Sequence, residues 1–335
     1  MSHKKPDKDI LIENAKDIIA NVHEDEHLLS GACIVSSLPA GDSTPVSDVD
    51  MLMLAADNEV KPVIHRRLVG DKVFEWIVAP NDYLRDVDRI LAHAGICHDI
   101  LTMIILLDTD DRLEQVKQEV ASQYQAPQWI WKRTLGQLQR AAGAIEQIQK
   151  HLTDGDILSA QRAHVSALFG LFSIPRVILN KRPTHARGSL FCLEAATELG
   201  WPEYQSDALT VLGSAGISEK QVVNLQDIAV QIIAATKFTK TEKAIRQWFL
   251  RSSNWLLENA QPADAVWPLY TWSNLTVEES GGDRNPIVLK HWQEFTAILG
   301  VGKEQALLAK MEKAQRLYES AVKLLETTKN QGILW

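Results

Sequence analysis

Apolar residues along this chain change their spacing once, and the change divides it. From Asp9 to about His27, Leu11, Ala15, Ile18 and Val22 recur three and four apart, the stripe of an amphipathic helix that needs a sheet to cover. Gly31-Ala32-Cys33-Ile34-Val35 reads as a short buried strand, and a loop rich in Gly, Ser, Thr and Pro runs from it to Pro45. Val49 to Leu54 alternates only at its beginning and reads as a second strand. A third strand, Val73 to Val78, stops at Ala79-Pro80, and Ile100 to Leu107 reads as a fourth before the helical pattern of Leu113, Val116 and Val120.

After Ala126-Pro127 the strand-like runs disappear. Leu138, Ala142, Ile145, Ile148 and Leu152 mark one helix, and Leu307, Met311, Ala314, Tyr318, Ala321 and Leu325 mark the last. Between them the breaks at Asp154-Gly155, Arg182-Pro183, Gly200-Trp201-Pro202, Gly213 to Gly216, Gln261-Pro262 and Gly281-Gly282 punctuate further helices, with no fixed-period repeat. The pattern predicts an α+β protein, with a mixed β-sheet domain over residues 1–126 followed by an all-α helical domain over 127–335.

Composition narrows the classes of function. The 335 residues are 45% apolar and 23% charged, which predicts a chain folded throughout. Lys and Arg total 35 against 43 Asp and Glu, a formal charge of -8, so the molecule as a whole repels a polyanion and nucleic acid is not an expected partner. Any phosphate must meet a local basic patch. Cys33, Cys97 and Cys192 lack the spacing of a zinc site and read as buried thiols, and His93 and His98 beside Cys97 read as core or surface residues. The charged start, Met1 to Asp9, does not look like a secretory leader, and no run approaches the ~18 apolar residues of a membrane span. A cytoplasmic location without membrane insertion is the expectation.

The candidate chemistry lies at the second strand. Asp48 and Asp50 stand two apart in Ser47-Asp48-Val49-Asp50, and strand residues two apart project to one side, so the two carboxylates converge. Such a pair is costly unless compensated, and a hard divalent cation is the usual compensation. Acidic pairs of this kind are commonly just solvated. Here the order of elements raises the pair above the ordinary, because Glu75 then appears as an isolated acid inside the apolar run Val73 to Val78. A second local reversal of charge falls between Ile157 and Leu193, which holds no Asp or Glu but does hold Arg162, Arg176, Lys181, Arg182 and Arg187. That cluster reads as a phosphate contact, although any single member reads more readily as a solvated helix face. Most of the ten tryptophans read as core, with one or two lining an acceptor pocket. Glu146, Asp154 and Asp156 read as solvated acids.

The stretch from Ser36 to Leu54 closely resembles the signature of the DNA polymerase β-like nucleotidyltransferase superfamily, small-molecule (aminoglycoside nucleotidyltransferase-like) branch, in which a Gly-Ser pair and a short loop precede Ser-Asp-x-Asp. Ser37 matches the signature serine, Gly41 the later glycine, Ser47 the serine before the acids, Asp48 and Asp50 the acids, and Glu75 the third acid. Leu179 to Gly188 looks like the Asn-plus-basic segment of several small-molecule members, with Arg187 where lysine is common. The chain departs from the pattern at Ser36, where glycine is usual, and at Ala40, where arginine is frequent. The resemblance implies catalytic and metal roles for Asp48, Asp50 and Glu75 toward Mg2+ (or Mn2+). It implies nucleotide-binding roles for Ser36, Ser37, Gly41, Ser47, Lys181, Arg182 and Arg187. The implied reaction moves a nucleoside monophosphate from a nucleoside triphosphate, ATP first among them, to a hydroxyl of a small-molecule acceptor, aminoglycoside-like in the leading case, and releases pyrophosphate. A non-catalytic nucleotide-binding or regulatory protein on the same fold is the alternative to which Ser36 and Ala40 point. A helical interaction module beside a decayed enzyme domain is a third, and it predicts a large exposed apolar patch on residues 190–335.

Overall fold

The computed structural model describes residues 8–25, 28–281 and 284–330. The chain divides into two compact units, residues 1–130 and 131–335. The first is a mixed sheet with helices and the second is helical, as an α+β chain requires. His27, Gly282 and the first seven residues, on which parts of the sequence reading fall, lie outside the described residues.

The sheet of the first unit has five strands in the order β3-β4-β2-β1-β5. They are β1 (Leu29–Val35), β2 (Val49–Ala55), β3 (Val63–Val69), β4 (Lys72–Pro80) and β5 (Ile104–Asp108). β2 and β4 run parallel, and every other neighbouring pair is antiparallel. β2 is nearly all apolar because both its faces are covered, which is why its alternation fades after Asp50. On one face α1 (Lys8–Asp25) buries Leu11, Ala15, Ile18 and Val22 against Ile34, Met51, Met53, Phe74 and Val78. On the other, Cys33, Leu52, Leu54 and Ala79 meet Ile90, Leu91, Cys97, Leu113 and Val120 from α3 (Val87–Ala92), α4 (Ile96–Thr102) and α5 (Arg112–Gln123).

Two sequence readings need correction here. β3 was absent from the expected strands, because its run Val-Ile-His-Arg-Arg-Leu-Val carries a basic centre and, as the sheet's edge, leaves Val63 and Ile64 half exposed. The expected strand Ile100 to Leu107 is two elements: residues up to Thr102 close α4, where the Thr102 hydroxyl donates to the His98 carbonyl at 2.9 Å, and the strand starts only at Ile104. A short apolar run cannot by itself separate the end of a buried helix from a strand.

The second unit is built from α6 (Pro127–Thr153), whose first turn belongs to the first unit, α7 (Ile157–Ile178), α8 (Gly188–Glu198), α9 (Glu203–Leu212), α10 (Glu219–Ala235), α11 (Lys240–Asn259), α12 (Pro262–Glu279), α13 (Pro286–Ile298) and α14 (Glu304–Asn330). Among the described residues each expected break falls between helices, apart from Pro262, which opens α12. Two further breaks were not expected: that between α10 and α11 is marked in sequence by a capping box at Thr239 and Glu242, and that between α13 and α14 by Gly300 and Gly302. Asp156, expected as a solvated acid, caps α7 by accepting from the Ser159 amide at 3.0 Å. α7 is also long and apolar enough to cross a membrane, contrary to the expectation of no such run, yet residues such as Ala160, Leu168, Leu171 and Ile174 are buried in the helical core. Among the described residues of 190–335, the large apolar side chains that stay exposed are Val223, Val230 and Ile287.

Two helices of this unit carry an internal proline, and each is repaired from outside. Pro175 in α7 has no amide hydrogen for the Leu171 carbonyl one turn back, and the buried Tyr204 hydroxyl of α9 donates to that carbonyl at 2.9 Å. Pro268 in α12 leaves the Asp264 carbonyl in the same position, and the Ser189 hydroxyl of α8 reaches it at 3.4 Å. Nearby, fully buried His164 takes part in a hydrogen-bond chain. Its Nε2 lies 3.2 Å from the Val211 carbonyl, which can only accept, so Nε2 carries the proton and Nδ1 accepts from the Tyr270 hydroxyl at 3.1 Å.

Burial pushes His164 down to about 3 from the usual 6.5. Below pH 6.5 the unfolded chain takes up a proton that the folded chain refuses, so the native state should lose stability as pH falls from 6.5 toward 3. Above that window His164 is neutral in both states and contributes no slope. Thermal midpoints from pH 7 to pH 5 should therefore fall more steeply for the wild type than for His164→Gln, whatever the absolute stability of the variant. Parallel slopes would remove His164 as a source of acid sensitivity.

Candidate active site

Of the residues singled out in the sequence, the acids Asp48, Asp50 and Glu75 lie at one end of the five-stranded sheet. β1 ends at Val35, which pairs with Asp50 on β2; Asp50 pairs with Glu75 on β4; and Glu75 pairs with Arg66 on β3. Neighbours in register on a sheet share a face and stand about 5 Å apart. Asp50, Glu75 and Arg66 thus form a row of two carboxylates and one guanidinium, with Asp48 one residue ahead of β2. All four side chains are half-buried.

Arg66 changes the reading of Glu75. Its Nε donates to Glu75 Oε2 at 2.5 Å, with the two side chains 25% and 26% exposed, so the third acid already has a cationic partner. Sequence reasoning missed Arg66 because it missed β3; recognising the alternation of Val63 to Val69 would have put this arginine beside Glu75. Lys72 was missed as well. It opens β4, is only 4% exposed, and its ammonium donates to the Pro45 carbonyl and, at 3.4 Å, to the Ser47 carbonyl. A buried ammonium must find such acceptors, and in finding them it clamps the loop that delivers Asp48.

The loop itself is sharply bent. Ser36 leaves β1 with φ 74° and ψ -136°, a backbone state that glycine adopts without cost and side-chain-bearing residues rarely enter. A serine thus occupies a turn whose backbone is one that glycine favours. Ser37 to Ala40 form one helical turn (α2), and Gly41 closes it with φ 79°. The Ser37 hydroxyl is buried and has no hydrogen-bond partner among the described residues, a state costing about 1–3 kcal/mol and calling for an explanation. Ser47, expected to bind nucleotide, spends its hydroxyl on the loop: it accepts from the Thr44 amide at 2.9 Å and lies 3.1 Å from the Thr44 hydroxyl.

Ser36→Gly should relieve strain of about 1–3 kcal/mol, partly offset by the ~0.5–1 kcal/mol that glycine adds to the entropy of unfolding. A net gain on the order of 1 kcal/mol in urea denaturation is the expected result. A loss would mean that the Ser36 side chain holds the turn.

Asp48 and Asp50 are hard oxygen donors of the kind a divalent cation takes, and as a pair they suit one ion. Among the described residues, however, no three His, Cys, Asp or Glu side chains are gathered as a metal cage, and one oxygen of Glu75 is taken up by Arg66. The remaining sequence candidates lie in the helical unit. Lys181 is ion-paired with Glu198, the Arg182 carbonyl accepts from Arg176 Nε at 2.6 Å, and Arg187 lies over the Phe191 ring at 4.8 Å, with Arg176 over the same ring at 4.5 Å. His93 is a turn-former whose Nδ1 accepts from the Gly95 and Ile96 amides, and His98 lies edge-on to Tyr124. The three cysteines are buried free thiols, and burial pushes Cys33 up to about 12.

No protein-family model matches the sequence, and no curated protein matches it. Among solved structures, the chain aligns with a nucleotidyltransferase-like protein from Exiguobacterium sibiricum 255-15 over 96% of its own length and 91% of the other's, at 12% identity and a TM-score of 0.34. A likeness that remote carries no weight in assigning chemistry to these residues.

Proposed function

We propose that this protein is a metal-dependent nucleotidyltransferase that moves a nucleoside monophosphate from a nucleoside triphosphate, ATP first, to a hydroxyl of a small acceptor and releases pyrophosphate. The observation that carries this reading is the row Asp50-Glu75 in register at the sheet end where the strained Ser36 turn and the unpartnered Ser37 hydroxyl also lie. Mg2+ or Mn2+ held by Asp48 and Asp50, with Glu75 as a third ligand, would neutralise charge on the triphosphate and on the leaving pyrophosphate. The protein's own part is to present and orient. The Ser37 hydroxyl donates to a phosphate oxygen, and Gly41 keeps the turn closed. Lys72 fixes the carbonyls that precede Asp48. Glu75 takes the proton of the acceptor hydroxyl as its oxygen bonds to the α-phosphorus and the bond to the β-phosphate oxygen breaks. Arg66 supplies the cation that Ala40 does not: on leaving Glu75 it can pair with phosphate. A polycationic, aminoglycoside-like acceptor suits a chain of net charge -8.

The Arg66–Glu75 pair also favours a second reading, a non-catalytic nucleotide-binding or regulatory protein in which that ion pair is permanent. Incubation with each labelled triphosphate, Mg2+ and an acceptor panel separates the two, following pyrophosphate release and acceptor mass. Transfer with one triphosphate is the expected result. Folded protein that binds triphosphate and yields no product with any acceptor would establish the second reading in place of the first.

A further inference from the structure

On the helical unit, Arg140 of α6 stands apart from the other basic residues. Its guanidinium carbon lies 4.4 Å from the centroid of Phe169 on α7, and among the described residues neither a carboxylate nor any other acceptor engages it. Gly136 and Gly143, one turn to either side, have nothing within 4 Å of where a side chain would begin, so the surface beside Arg140 is open. His185, which precedes α8, places its ring 5.4 Å from Phe169 and 6.2 Å from Trp272 of α12. These rings are held in place. The indole of buried Trp267 donates to the His185 carbonyl at 2.6 Å, and Trp272 stacks on Phe249 with centroids 3.7 Å apart and planes 10° off parallel.

We infer that Arg140, Phe169, His185 and Trp272 form a binding site for a planar aromatic group bearing an anionic substituent. The rings supply flat apolar surface fixed in advance, which lowers the cost of ordering a ligand. The guanidinium supplies a charge that no acceptor among the described residues engages, already desolvated on the side that faces Phe169, and the segment from Ile157 to Leu193 contributes no acid to compete for it. His185 adds a neutral imidazole: the loss of water around its ring and then the charge of Arg140 push it down to about 4. It can therefore hydrogen-bond a ligand oxygen without adding charge. An amine is excluded by the same guanidinium. The site lies wholly in the helical unit and does not depend on the nucleotide-transfer reading.

Calorimetry of the full chain with phenyl phosphate, benzoate, benzylamine and inorganic phosphate tests the site. Phenyl phosphate or benzoate should bind with one-to-one stoichiometry, the two together distinguishing which anion is preferred, while benzylamine and inorganic phosphate bind far more weakly. Arg140→Gln, a change at an exposed position, should weaken the aryl anion by about tenfold or more without moving the thermal midpoint. Phe169→Leu should weaken it while sparing the charge. Failure of both aryl anions to bind, binding indifferent to Arg140→Gln, or equally tight binding of benzylamine would each overturn the assignment.

Discussion

Replacing Asp50 with asparagine is expected to cut nucleotide transfer by about a hundredfold or more while the thermal midpoint moves little. Asparagine keeps the shape of the side chain and its half-buried place between Val35 and Glu75, but it removes the charge that the proposed function assigns to holding a cation. It also removes one of two like charges on a shared face, so any shift in stability should be small or upward. Loss of activity without loss of stability marks a residue kept for chemistry, because such sites hold arrangements that folding alone would not favour. Metal-dependent binding of a triphosphate, read by calorimetry, should fall in the same variant. A lowered midpoint with transfer intact would instead assign Asp50 to holding the sheet end together.

The largest effect on stability is expected in the helical unit, at Gly213→Ala. Gly213 follows α9 with φ 92°, and a methyl group there would begin 2.0 Å from the Leu299 carbonyl oxygen, beyond the end of α13. The left-handed backbone alone costs a side chain about 1–2 kcal/mol, and overlap with a main-chain oxygen cannot be relieved by turning a side chain. A loss of about 3 kcal/mol or more in urea denaturation is the expected outcome. Gly216→Ala is the control: its φ is 75° but nothing lies within 4 Å, so it should show the backbone cost without the collision. Equal losses in the two variants would show that the contact with Leu299 relaxes freely.

What could be read from the sequence follows what is local. The helix before the sheet, the strands with apolar runs and most breaks between helices depend on spacing and turn chemistry that neighbouring residues carry themselves. Asp48 and Asp50 stood out by their spacing and Glu75 because an acid is conspicuous in an apolar strand, and the register of β2 against β4 sets Asp50 beside Glu75. Arg66 was hidden because a basic edge strand has no apolar signature, and its partner is nine residues away across a hairpin. Lys72 was hidden for another reason: a lysine at the start of a strand looks solvated until the fold brings the Pro45 and Ser47 carbonyls to it. The aromatic cluster was legible only as a surplus of tryptophan, since Phe169, His185 and Trp272 come from separate segments.

The prolines of α7 and α12 bear on how the helical unit is made. Each leaves a carbonyl that its own helix cannot satisfy, and each carbonyl finds a hydroxyl only on another helix, Tyr204 for Leu171 and Ser189 for Asp264. In a free segment each carbonyl would be left to water, so docking must supply the hydroxyl that replaces it. A nascent chain ending before Tyr204 would carry α7 with its Leu171 carbonyl unmet, and α8 would wait for α12 before Ser189 had its acceptor. The unit should therefore gain its order late in synthesis and in one cooperative step.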